Sequence, residues 1–68
     1  MQQQQGIRVI RRRELTDKLG ISRSKVYEML NRDSPRYDPT FPRQLKIGLR
    51  AVGWIEQDVN EWIVKRLA

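Results

Sequence analysis

The 68-residue sequence predicts a small α+β domain, mainly α, on three observations. Two short helical patterns meet at Gly20-Ile21, an alternating apolar stretch turns back on itself at Gly48-Leu49, and a 3.6-residue apolar stripe closes the chain. A chain this short forms one domain and buries only about 60% of the surface its unfolded form exposes, so the core is small. Residues 7–68 are assigned to that domain. Residues 1–6, with the polar tract Gln2-Gln3-Gln4-Gln5, are expected to be a disordered tract.

Ile7-Arg8-Val9-Ile10 favours extended structure and predicts a short edge strand. From about Arg12 the period is helical. Leu15 and Leu19 share a face, Glu14 leads and Lys18 follows as the helix dipole prefers, and Gly20 can end the helix in the left-handed conformation. Ser22 predicts the N-cap of a second helix reaching about Asn31, with Val26, Met29 and Leu30 turned inward. The short connection holds the two helices at a steep angle, with Ile21 in the corner. Residues 31–42 collect Asp, Ser and Pro and read as a loop.

A hairpin follows. A two-residue type II′ loop at Gly48-Leu49 would pair Ile47 with Arg50 and Leu45 with Val52, placing Leu45, Ile47, Val52 and Trp54 on one apolar face and pointing Lys46 away from it. The last helix runs from about Glu56 to Leu67 on the stripe Ile55, Val59, Trp62 and Ile63, with acids leading and Lys65 and Arg66 closing. Helix, turn, helix, loop, hairpin, helix is the order of a winged helix-turn-helix, with the hairpin as the wing.

Fourteen Lys and Arg against eight Asp and Glu give a net charge of +6, which points to an anionic partner. The sequence has no Cys and no His, so thiolate chemistry, most transition-metal sites and the usual general base are missing, and neither an enzyme nor a cofactor is expected. No apolar run approaches the ~18 to 20 residues that span a bilayer, which predicts a cytoplasmic protein with no membrane partner. The charge is uneven. Residues 1–13 hold Arg8, Arg11, Arg12 and Arg13 with no acid, and residues 34–54 hold Arg36, Arg43, Lys46 and Arg50 against Asp38 alone.

Alone of the three helices, the second is expected to oppose the dipole, opening with Arg23 and Lys25 and no acid, at roughly 0.3 to 1 kcal/mol each. Bound phosphates or guanine edges would offset that cost, so Arg23 and Lys25 lead the candidate DNA contacts. Ser22 reads as the cap, and its hydroxyl or that of Ser24 can also meet phosphate. Tyr27, four residues past Arg23, either shares the exposed face or packs at the helix base. Glu28 either accepts from cytosine N4 or pairs with Arg32 four residues on, and the pair is the favoured reading. Lys46 and Arg50 in the hairpin can reach a backbone or a minor groove, or they form a solvated turn. Arg11 to Arg13 form a basic arm that either follows phosphates or is solvated, with Arg12 and Arg13 partly in the first helix, and Arg32 and Arg43 complete the candidate set. Trp54 and Trp62 read as core.

Arg11-x-x-Glu14-Leu15, Leu19-Gly20-Ile21-Ser22-Arg23-Ser24-Lys25-Val26-Tyr27, Phe41-Pro42-Arg43, Leu45-Lys46-Ile47-Gly48, Ala51-Val52-Gly53-Trp54 and Val59-Asn60-Glu61-Trp62-Ile63 closely resemble the AlpA family of prophage regulators over about residues 8–66. The resemblance implies a MerR-like or excisionase-like winged helix that binds double-stranded DNA near prophage or mobile-element genes and controls integrase expression or excision. An excisionase-like factor that bends DNA and recruits integrase is the alternative within that class. A basic adaptor for RNA or an acidic protein is the alternative outside it, and no RNA-stacking aromatic motif favours it. One monomer covers one half-site, so a homodimer or a cooperative array on DNA is expected. The loop over residues 32–40 is longer and richer in Pro and Asp than the family pattern.

Overall fold

The computed structural model describes residues 7–67; the polar tract assigned to disorder lies outside the described residues. The elements run β1 (Val9–Ile10), α1 (Arg12–Leu19), α2 (Arg23–Leu30), β2 (Leu45–Lys46), β3 (Val52–Ile55) and α3 (Glu56–Leu67). The three strands form an antiparallel sheet in the order β1-β3-β2. The helices thus fall where the apolar periods place them.

Local chemistry sets the helix ends. Gly20 adopts φ 68°, ψ 32° and ends α1, its N–H donating to the Thr16 carbonyl. Ser22 caps α2, its hydroxyl accepting the Lys25 backbone N–H at 3.1 Å. Ile10, Leu15, Val26, Met29, Phe41, Trp54 and Val59 are buried together, and Leu19, Ile21, Leu30, Val52, Trp62 and Ile63 pack against them. Every element except β2 contributes a side chain to that buried cluster or its immediate shell.

The hairpin departs from the expected register. Leu45 pairs with Gly53 and Lys46 with Val52, and the Ile47 N–H donates to the Ala51 carbonyl at 2.9 Å. The loop is therefore the three residues Gly48-Leu49-Arg50, not Gly48-Leu49, and Gly48 lacks the positive φ that a type II′ turn requires. Directly opposed residues share a sheet face. Lys46 accordingly lies on the same face as Val52, Trp54 and Ile10, the face toward the helices, while Leu45 and Ile47 lie on the outer face. The reason is at Gly53. A Cβ there would lie 2.6 Å from Val9 Cγ1, 3.0 Å from the Ile10 carbonyl oxygen and 3.4 Å from Ile47 Cδ1, so neighbouring apolar side chains close over the missing one. Gly53 draws Val9 and Ile47 together on the outer side, and the inner side is left to Ile10, Val52 and Trp54.

The long loop before β2 is ordered by its own polar side chains. Asn31 accepts from the Asp33 N–H, Ser34 from the Arg36 N–H and Asp38 from the Thr40 N–H, each two residues on. The Asp38 N–H donates to the Met29 carbonyl at 3.0 Å, tying the loop to the end of α2. Asp38 also accepts from Trp62 Nε1 and from Arg66, both at 3.4 Å. Phe41 meets the Trp62 ring edge-on at 5.0 Å between centroids, and Arg66 lies over that ring at 4.7 Å. A segment read as mere loop is thus fastened to α3.

Candidate nucleic-acid interface

The basic arm divides into a structural and a free part. Arg8 is held by Glu14 at 2.6 Å and by Glu56 at 3.1 Å, and Lys18 reaches the same Glu56 at 3.4 Å. Those hydrogen bonds raise the Arg8 pKa and hold the Glu56 carboxyl below its ordinary value, with Arg8 the main cause. Arg8 therefore ties β1 to α1 and α3. Arg11, Arg13, Arg23, Lys25, Arg32, Arg43, Lys46 and Arg50 form no ion pair with a carboxylate among the described residues.

Several of these converge. One cleft of about 220 Å³ is lined by Arg11, Arg12, Arg13, Arg50 and Val52, so the start of α1 and the hairpin tip meet there. A second, of about 280 Å³, is lined by Arg12, Arg13, Thr16 and Arg23, joining α1 to the first residue of α2. Arg12 and Arg13 line both. Among the expected site residues, the structure thus brings Arg12, Arg13, Arg23 and Arg50 together. Ser22, Ser24, Lys25, Arg32, Arg43 and Lys46 line neither cleft.

Arg12 also settles the place of Tyr27. Its guanidinium donates to the Tyr27 hydroxyl at 2.8 Å and lies 5.9 Å from the ring centroid, so α1 and α2 are latched by their outward side chains. Tyr27 remains 42% exposed, on the same side of α2 as Arg23, and does not pack at the helix base. Ser24 and Lys25 are exposed beside it.

Three expectations are corrected. Glu28 faces Arg36 at 3.5 Å, not Arg32, because the loop turns back along α2. Opposition to the helix dipole is not peculiar to α2: α1 begins at Arg12, so its first turn carries two arginines against Glu14 alone. Two of the three helices start basic, and both starts line the second cleft. Lys46 moves to the helix-facing side of the sheet, as the register requires. Thr16 is a lining residue that the sequence did not single out, and Arg11, expected in the basic arm, lines the first cleft. The acid-free run of residues 1–13 is the signal for Arg11, and only the packing of α1 separates it from Arg8, which Glu14 and Glu56 hold.

No helix of the described residues is long and apolar enough to cross a membrane. The chain is 39% identical over 66 residues to a protein of Escherichia coli named DNA-binding transcriptional activator AlpA, spanning 97% of this chain and 94% of that one. It is 31% identical over 61 residues to an uncharacterised protein, ORF88, of Enterobacteria phage P4, covering 90% of this chain and 62% of that protein's length. No solved structure is a significant match. The family model for prophage CP4-57 regulatory protein (AlpA) matches residues 8–67, from the Arg8 bridge through the last turn of α3, and the chain belongs to the AlpA family.

Proposed function

We propose that the chain is a winged helix-turn-helix that binds double-stranded DNA in a sequence-dependent way and regulates transcription of phage or mobile-element genes, including integrase expression or prophage excision. One observation carries this reading: unpaired cationic side chains from α1, α2 and the hairpin converge on one surface with no carboxylate among the residues lining it. α2 lies in the major groove with Arg23, Ser24, Lys25 and Tyr27 outward, and the hairpin reaches the neighbouring backbone through Lys46 and Arg50. The Escherichia coli relative, named a DNA-binding transcriptional activator, supports the same class of activity. Because one such unit covers one half-site, function requires a pair or a cooperative row of copies on DNA.

Duplex affinity measured against salt tests the reading. A surface touching about 4 to 6 phosphates gives a log–log slope of roughly −4 to −5. Preference for single-stranded RNA, or no duplex binding at low salt, contradicts it.

A further inference from the structure

We infer that the two arginine-lined clefts flanking Arg12 seat neighbouring phosphates of one DNA strand, so that the strand between the groove read by α2 and the groove reached by the hairpin crosses the start of α1. This rests on the duplex-binding reading above. That reading counts the cations of α1 on the surface without giving them a contact; here they take a place on the strand.

The clefts are contiguous, because Arg12 and Arg13 form a wall of each. At one end stands Arg50 of the hairpin and at the other Arg23 of α2, so a line from hairpin to α2 passes over both. Four guanidinium groups line the first cleft and three the second, with no acid among the lining residues. Like charges so gathered repel one another, and an anion between them relieves that repulsion. The fork of an arginine matches a phosphate's paired oxygens. In the second cleft the Thr16 hydroxyl donates to the Arg13 carbonyl at 2.9 Å, so the donors there are guanidinium N–H groups. Tyr27 accepts from Arg12, which leaves its hydroxyl proton to donate outward beside the same strand.

The test measures binding of a mixed-sequence DNA duplex by the full chain across a salt series, for the wild type, R11A/R13A and R11K/R13K. Both arginines are exposed and form no ion pair among the described residues, so the thermal midpoint of each variant should match the wild type. The inference predicts that R11A/R13A lowers the steepness of the salt slope by about 2, that adding R23A lowers it by about 1 more, and that R11K/R13K restores most of it. If R11A/R13A keeps the wild-type slope, the phosphates lie elsewhere and the inference falls, while the wild type's own binding leaves the regulator reading standing. If the wild type shows no duplex binding, both fall.

Discussion

Trp54 shows how a single side chain can dominate a core this small. Its ring is fully buried, and its Nε1–H meets no acceptor among the described residues, so the residue contributes through packing. Trp54→Phe then gives up no hydrogen bond and should cost roughly 1 to 2 kcal/mol. Trp54→Ala leaves a cavity worth about 3 to 5 kcal/mol, enough to unfold much of a marginal domain. Urea unfolding of the two variants separates packing from polar bonding; equal losses would show that the indole N–H has a partner after all. Asp38 is the polar counterpart. The Thr40 hydroxyl is the main cause that holds its carboxyl below the ordinary value of 3.8, with Trp62 and Arg66 adding to it. A carboxyl depressed in the folded state stabilises the fold above its unfolded value and loses that contribution as pH falls through the folded one. Asp38→Asn should therefore cost about 1 to 3 kcal/mol at neutral pH, with the gap to the wild type closing below about pH 4. A gap that stays constant down to pH 2 would show that the charge on Asp38 is not what fastens the loop.

Among the elements, the helices were the most legible and the hairpin the least. Gly20, Ser22 and the 3.6-residue stripes act within one turn of the chain, so α1, α2 and α3 lie where those signals put them. Strand register depends on a third strand that a local pattern does not contain. β3 is central, its inner face is fixed by Ile10 opposite Trp54, and Gly53 admits Val9 over its outer face. Alternation within residues 45–54 could not reveal that crossing, and it misplaced Leu45, Ile47 and Lys46. Gly53→Ala brings a Cβ to 2.6 Å from Val9 Cγ1 and should destabilise by roughly 1 to 3 kcal/mol. Adding Val9→Ala should recover part of the loss, and none recovered would place the clash at the Ile10 carbonyl alone. At the start of α2, Arg23→Ala with Lys25→Ala should leave the thermal midpoint unchanged or slightly raised while weakening duplex binding, since both oppose the dipole and neither forms an ion pair among the described residues. Lost stability with normal binding would make them structural.

In the whole molecule, charge is distributed unevenly over the surface. The clefts at α1, the start of α2 and the hairpin tip gather arginines with no carboxylate partner among the described residues, whereas the first turns of α3 expose Gln57, Asp58, Asn60 and Glu61 and its cations, Lys65 and Arg66, lie in the last turn. The loop over residues 31–42 is latched to α3 through Asp38 and Phe41, away from the arginine clefts, so its unusual length need not disturb the basic side. The sequence made the sign of the charge and its segments legible. It could not say that Arg8 is consumed by Glu14 and Glu56 while Arg11 and Arg13 stay available, because that depends on which way α1 faces once Leu15 is buried. The most direct test of the account is a backbone amide NMR titration of the chain with a short DNA duplex at low salt. The account predicts shifts at residues 11–13, 22–27 and 46–50, with residues 57–65 of α3 unmoved; shifts concentrated on α3 or on the loop over residues 31–42 would contradict it.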